Sequence, residues 1–504
     1  AGLPPGLDFW REMAARFASA SARFCRRQPT GAIAAAGVAA CGVAGGAQGQ
    51  VKAEPHAPDA SDLRAHHLYS WQEGGTGWRI SRNGLMERRV NKVVNPMADQ
   101  LPGMNFLNPE EKVMGHIILN DSKQASRNPA TMNGCVRANA THNIWWDPSD
   151  VRVAIVACGD LVPGMNSVIR EVTTCLWFQY GVRTIYGIES GFHGLSRPED
   201  HKTIHLTSKS VRDIHMKGGC VLKCGRGGFE EETICDNLQK MGVNVVFLIG
   251  GDGTHAAGHK LYETARKRDL PISFVGIPKS IDNDVLFLDK SFGFETAVAA
   301  GCDVIQNGWV EAASCSKGVG IVKLLGEDSG FVVMSAALAS TIVDLCLIPE
   351  VKFKLDDVLS HVDDTLAEKD FMVIAVAEGA GRDLAEKQEQ SDIGVLLKSK
   401  IDSHLKAKGG RTFYIEPSYI IRSCPIKPND HIFCSRLARD AVHCAMRGYT
   451  GVSVGPINNV ISIFPMDFIA SGKRSVGVKS SNWQMCVQSC NMPSSLAGMT
   501  MKGH

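Results

Sequence analysis

Sixteen cysteines occur in the 504 residues, yet no two of them form a C-x-x-C pair. The two C-x3-C pairs, Cys220/Cys224 and Cys486/Cys490, have no histidine nearby at zinc spacing. They read as reduced thiols in a reducing interior compartment rather than as metal ligands. An excess of either charge is missing too: 54 Lys+Arg face 52 Asp+Glu, a formal net charge of +2. Such a balance builds no basic field to hold a polyanion, so no nucleic-acid partner is expected. Internal repeats and low-complexity tracts are absent after residue 50, which removes repeat arrays from consideration. With 44% hydrophobic and 21% charged residues, what remains is a soluble globular chain of two or three domains, long enough for a large core.

Residues 1–50 differ from the rest. The segment FWREMAARFASASARFCRR sets Phe9, Met13, Phe17 and Phe24 near one helical face and Arg16, Arg23 and Arg27 on another, with no acid after Glu12. That is the chemistry of a mitochondrial or plastid presequence; a cytoplasmic location is the alternative. A start at Ala1 instead of Met leads to the expectation that something upstream was processed or truncated. Between Arg27 and Lys52 no residue is charged, and Gly31 to Ala47 is almost all Ala and Gly. The stretch reads either as a small-residue linker or as a marginal membrane span, since about 20 clearly apolar residues normally cross a bilayer.

Residues 51–150 show little hydrophobic periodicity and read as an irregular arm wrapped on a domain. From Val151 onward short apolar runs alternate with helical patterns: VRVAIVAC, VNVVFLIG, ISFVG, GVGIVKLL and FMVIAVA, each ending in a polar or glycine-bearing loop. This alternation predicts an α/β fold with parallel, doubly wound sheets. Ligands then sit at the carboxyl ends of the strands, in those loops.

The loop GGDGTH, Gly250 to His255, brings a backbone without side chains up to a helix start. Such a turn suits phosphate groups, with Asp252 placed to hold a Mg2+ that bridges phosphoryl oxygens. GIPKSIDNDV, Gly276 to Val285, carries Asp282 and Asp284 on either side of Asn283 just past an apolar strand. Transfer of a phosphoryl group to an alcohol needs the acceptor proton removed and the attacking oxygen aimed in line; one carboxylate can do the first while its neighbour orients the site. Lys279 and Ser280 add a charge and a donor at the transferred group.

With these residues the sequence resembles the ATP-dependent 6-phosphofructokinases of the plant and protist type. The resemblance runs from about Asp147 to Ile463 through GGCVLKCGRGG, GGDGTHAAG, GIPKSIDNDV, SFGFETAV, SGF, LCLIPE, AVAEGAG, YIEPSYIIR and AVHCAMRGYTG, in order. It implies two Rossmann-like lobes with the active site in the cleft between them. The larger, nucleotide-binding lobe is expected from 151–293 with 423–466, and the smaller, sugar-phosphate lobe from 294–422 with 467–504. The reaction implied moves the ATP γ-phosphoryl group to the 1-hydroxyl of fructose 6-phosphate in glycolysis. By the same resemblance Asp282 is the proton acceptor, with Asp284, Arg226 and Lys279 also catalytic, and Asp252 is the Mg2+ ligand. Gly159, Arg226, Gly227, Gly251, Asp252, Gly253 and Thr254 surround the nucleotide. Ser280, Ile281, Asp282, Leu325, Gly326, Glu327, Glu378, Tyr419 and Arg422 face the sugar phosphate. A homo-oligomer, a tetramer in the family, is implied as well. Gly253 stands where pyrophosphate-using relatives place an acid, which favours ATP.

The departures from the family pattern are also informative. Asp160 replaces the second glycine of a C-G-G loop, and Glu327 replaces the arginine of an M-G-R segment. Lys223 and Phe413 are further unusual residues; Lys223 could compensate for Glu327 if it reaches the same phosphates. A working kinase with an altered pocket is therefore one expectation. A catalytically degenerate relative, serving as a structural or regulatory subunit of an organelle membrane complex, is the other.

Overall fold

The computed structural model describes residues 69–71, 78–80, 93–100, 105–107, 111–114, 134–387 and 392–498. The presequence and the Ala/Gly segment read from residues 1–50 lie outside the described residues.

Strands β1 (Lys112–Met114), β2 (Gly134–Arg137) and β3 (Arg152–Ala157) precede helix α1 (Met165–Thr174) and strands β4 (Thr184–Ile188) and β5 (Thr203–His205). Next come α2 (Glu231–Lys240), β6 (Val245–Gly250), α3 (Asp252–Lys267), β7 (Ser273–Pro278), α4 (Phe294–Ala313) and β8 (Gly318–Leu324). They are followed by α5 (Phe331–Ser340), β9 (Leu345–Leu347), α6 (Leu355–Lys369), β10 (Phe371–Ala377), α7 (Ile393–Leu405) and β11 (Arg411–Ile415). The chain continues with α8 (Ser418–Ser423), α9 (Pro428–Met446), β12 (Val452–Ile457), β13 (Val460–Pro465) and α10 (Ser481–Ser489).

Among the described residues the larger sheet has nine strands in the order β1-β2-β13-β12-β7-β6-β3-β4-β5. Its centre, β12-β7-β6-β3-β4, is parallel, while β13, β2 and β1 on one edge and β5 on the other run antiparallel. β6 and β7 are buried along their whole length. Helices cover both faces, so these strands read as continuous apolar runs rather than alternating ones. The smaller sheet, β9-β10-β8-β11, is parallel throughout. The region read as an irregular arm contributes β1 and β2 to the edge of the larger sheet. Those strands are short, and β2 is anchored by only two register pairs with β13, too few to leave a period-two signal in the sequence.

The segment after β13 passes from one sheet to the other. Lys473 pairs antiparallel with Val285 in the larger-sheet loop, and three residues on the Val476 N–H donates to Glu350 Oε1 at 2.6 Å beside the smaller sheet.

Candidate active site

Three loops at the carboxyl ends of β3, β6 and β7 form one side of a cleft of about 650 Å3. The strands end level because their register is continuous: Gly250 pairs with Pro278 and Ile249 with Ala157. At Gly250 a side chain would collide with Thr254 in the first turn of α3, so the sharp strand-to-helix turn requires glycine. Gly159 has φ +77°, and a Cβ there would lie 3.1 Å from Lys279 Nζ. The Gly253 N–H donates to Asp252 Oδ1 at 2.8 Å, which sets the Asp252 carboxylate at the helix start, where the cleft opens.

Past β7 the chain turns on Asn283, which is buried with φ +58° and accepts the Ser291 N–H on its Oδ1 at 2.9 Å. Asparagine tolerates this left-handed conformation better than most residues. The turn separates the two acids. Asp282 lines the cleft, whereas Asp284 accepts the Ser280 hydroxyl and lies 3.6 Å from Lys473 Nζ. Asp282 Oδ1 is buried and has no partner among the described residues. Burial, and then the charges of Asp284 and Glu378, push the Asp282 carboxyl up to about 7, against a backbone hydrogen bond from Glu327 and the charge of Arg422. A carboxylate titrating there is matched to proton transfer near neutral pH.

Several cations share the cleft with these acids. Arg226 donates from Nε to Asp160 Oδ1 at 3.1 Å and from Nη2 to Oδ2, a two-pronged pair. Burial alone would raise the Asp160 carboxyl, but the hydrogen bond and charge of Arg226, with Arg422 and Lys279 behind it, hold it below its ordinary value. The ammonium of Lys279 is buried and donates to the Asp160 carbonyl. Burial lowers its pKa, against the pull of Cys224, Asp160 and Cys158. Glu378 follows β10 and is pushed up by burial, opposed by Arg422. Glu327 reaches the rim, and Arg382 Nη2 lies 3.7 Å from its Oε1.

Of the residues singled out in the sequence, Gly159, Arg226, Gly227, Gly251 to Thr254, Lys279 to Asp282, Glu327, Glu378 and Arg422 all line this cleft. Four do not. Asp284 is turned back onto Ser280, and the Leu325 side chain is core. Gly326 holds a φ of +137° in the turn behind it, and Tyr419 on α8 is 80% exposed. Lys223 does not reach the cleft either; its ammonium pairs with Glu189 at 3.0 Å. Phe413 on β11 packs under the Arg411 guanidinium, 5.4 Å from ring centre to Cζ. Sequence reasoning missed Lys260, Lys473 and the aromatic pair Phe192 and Phe229, which also line the cleft. The two rings meet edge to face with centres 5.3 Å apart, although they come from segments 37 residues apart in the sequence. Phe229 directly follows the GGCVLKCGRGG motif, and that adjacency is the sequence signal for it. Every described cysteine is a free thiol.

The residues present fit a magnesium ion of the kind that nucleotides carry. No group of three or more His, Cys, Asp or Glu side chains among the described residues could hold a metal by itself. Mg2+ at such sites is commonly bound through one or two carboxylates, with phosphate oxygens and water completing the octahedron. Asp252 at the mouth of the cleft meets that requirement.

The family model described as phosphofructokinase matches residues 152–445. The chain is 40% identical to ATP-dependent 6-phosphofructokinase 1 of Arabidopsis thaliana over 376 residues, covering 71% of this chain and 79% of that protein. It is 39% identical to the chloroplastic ATP-dependent 6-phosphofructokinase 4 of the same plant, covering 72% and 71%. Among solved structures, a pyrophosphate-dependent phosphofructokinase from Marinobacter aquaeolei superposes with a TM-score of 0.57 at 17% identity, covering 70% of this chain and 93% of that one. That last likeness is one of fold. With the strand-end loops, the cleft and the matched motifs taken together, the chain belongs to the phosphofructokinase family.

Proposed function

We propose that the protein is an ATP-dependent 6-phosphofructokinase that transfers the γ-phosphoryl group of ATP to the 1-hydroxyl of fructose 6-phosphate. The observation that carries this reading is the meeting of Asp282, with its carboxyl near 7, and Asp252, Lys279, Arg226 and Arg422 around one cleft. Asp282 takes the proton of the sugar hydroxyl. The hydroxyl oxygen forms the new P–O bond as the bond to the β–γ bridging oxygen breaks, and ADP leaves with that electron pair. Asp252 would hold Mg2+, which would supply charge neutralisation for the phosphoryl oxygens. Lys279 and Arg226 carry charge toward the nucleotide phosphates, while Glu378 and Arg422 hold the sugar phosphate from the smaller-sheet side. The lobes divide the work as the sequence resemblance implies, 151–293 with 423–466 for the nucleotide and 294–422 with 467–504 for the sugar phosphate.

Two observations support a nucleotide donor over pyrophosphate. Phe192 and Phe229 give the cleft an apolar wall, which a base and ribose can cover and pyrophosphate cannot. A Cβ at Gly253 would meet nothing within 4 Å, so the space is left to the donor. A coupled assay with fructose 6-phosphate and either ATP or pyrophosphate tests the reading. Turnover is expected with ATP, with kcat/KM falling tenfold per unit below about pH 7 as Asp282 is protonated. Turnover with pyrophosphate alone, or a rate indifferent to pH between 5 and 8, would refute it.

A second reading is favoured by Asp160 and Glu327, two anions lining the cleft, the first of them already occupying Arg226. On that reading the chain is a degenerate relative acting as a structural or regulatory subunit, and the same assay gives no turnover with either donor.

The arginine-rich, acid-poor segment 1–50 supports a plastid or mitochondrial address. The chloroplastic name of one relative agrees with the plastid alternative. No helix among the described residues is long and apolar enough to cross a membrane. Deleting residues 1–50 is expected to leave turnover within twofold and to move a fluorescent fusion from the organelle to the cytosol. A truncated chain that still reaches the organelle overturns the presequence assignment.

A further inference from the structure

The Leu325-Gly326-Glu327 segment puts an anion where a phosphotransferase cleft needs a cation, and Glu327 is drawn off toward Arg382. The other cations nearby are largely committed. Arg226 is held in two prongs by Asp160, Lys279 is buried against the Asp160 carbonyl, and Arg422 faces Glu378 and Asp160. Lys473 is paired as well, but with acids of two different loops. It lines the cleft, its side chain is 44% exposed, and its ammonium lies 2.8 Å from Asp328 Oδ2 and 3.6 Å from Asp284 Oδ2.

Its backbone is fixed on both sides. Lys473 bridges Val285, the Arg474 N–H donates to the Asp284 carbonyl at 2.7 Å, and the Arg474 guanidinium sits over the Phe331 ring at 4.4 Å. This strap holds the ammonium between the loop that carries Asp282 and the loop that carries Glu327.

We infer that Lys473 is a catalytic cation of this site, exchanging its contact with Asp328 for an oxygen of the phosphoryl group in flight and supplying the positive charge that Glu327 does not. The inference rests on the kinase reading for its reaction; its phosphate contact is read separately, by MgATP affinity, and Asp252 and Lys473 line the same cleft. The nearby acids agree with this placement: the hydrogen bond to Asp328, followed by the charges of Asp284, Asp328 and Asp252, raises the Lys473 pKa above its ordinary value. It therefore stays charged throughout the working pH range.

The test uses the full chain and three variants, with turnover and calorimetric MgATP affinity read on each. Lys473→Met is expected to lower kcat by about 10²–10³ with little change in the fructose 6-phosphate KM, and to weaken MgATP by about tenfold, as loss of a group aimed at developing charge does. Lys473→Arg keeps the charge and is expected to recover both to within tenfold of wild type. Asp328→Ala breaks the same ion pair while leaving the cation in place, and is expected to keep at least a third of wild-type turnover. Turnover and MgATP affinity of Lys473→Met within threefold of wild type overturn the inference. So does an Asp328→Ala loss as large as that of Lys473→Met, which would make the lysine a clasp. If wild type is inert but MgATP affinity still falls in Lys473→Met and returns in Lys473→Arg, the kinase reading fails and the phosphate contact of Lys473 stands. If wild type binds no MgATP, both fail.

Discussion

Asp282→Asn is expected to lower turnover by about 10²–10⁴ while making the fold more stable at pH 8. The loss follows from removing the acceptor of the sugar hydroxyl proton without changing the shape of the cleft floor. The gain follows from the carboxyl itself. Its folded-state pKa is raised to about 7 by burial and by Asp284 and Glu378, whereas an unfolded aspartate titrates near 4. Below about pH 4 the group is neutral in both states and costs nothing. Between about 4 and 7 the unfolded chain sheds the proton and the folded chain keeps it, so stability declines as pH rises, and above about 7 the penalty is complete. Three pH units at about 1.4 kcal/mol each set an upper bound of about 4 kcal/mol on what should return on replacement by the neutral amide at pH 8, and little should return at pH 4. Denaturant melts of wild type and Asp282→Asn at both pH values, beside the coupled assay, check the two halves together. A variant that is less stable at pH 8, or that turns over like wild type, would show that Asp282 is not the strained acid of this site.

That acid was legible in the sequence, and the reason is physical. A fully buried parallel strand must be a continuous apolar run, so VNVVFLIG and ISFVG announce β6 and β7. The glycines and acids that interrupt such runs must then be loop residues at the strand ends. GGDGTH and GIPKSIDNDV could be placed at one cleft for that reason. The fates of the flanking residues could not. Asp160 and Arg226 are 66 positions apart and meet only because the Gly159 N–H bonds to the Gly225 carbonyl at 2.9 Å. Locally, Asp160 is legible only as a departure from glycine and Arg226 only as a residue near the nucleotide; neither segment shows that the two pair. Lys473 is further still from the loops it joins, and nothing in ASGKRSVG marks a lysine as pointing into a cleft. Lys223 looked nearer in the sequence, yet its positive φ of 51° turns it toward Glu189. Contacts between loops are set by how two sheets are docked, and hydrophobic periodicity carries no information about that.

Asp160→Gly combined with Glu327→Arg is expected to raise kcat/KM by about 10- to 100-fold, and the two changes should contribute by different routes. Asp160 stands beside the nucleotide loop and holds the Arg226 guanidinium in two prongs. Its removal frees that cation for the donor's phosphates, so the single Asp160→Gly change should act mainly on the MgATP KM. Backbone strain does not oppose it, since glycine accepts any conformation the aspartate holds. Glu327 also lines the cleft and faces Arg382 at 3.7 Å. Replacing it by arginine turns repulsion of the donor's phosphates into attraction, and turns its attraction to Arg382 into a repulsion that offsets part of the gain. A pair of unit charges about 5 Å apart at an effective dielectric near 20 is worth about 3 kcal/mol, but both side chains are largely open to solvent, Glu327 at 69%, so only a fraction of that survives screening. The single Glu327→Arg change should act on kcat, and its benefit should grow in Lys473→Met if the two cations serve one phosphoryl group. Steady-state kinetics of both singles and the double mutant resolve these routes. A double mutant no better than wild type would mean that Asp160 assists by orienting Arg226. Recovery from an inert wild type to measurable turnover would mean that these two anions alone had disabled an otherwise complete site.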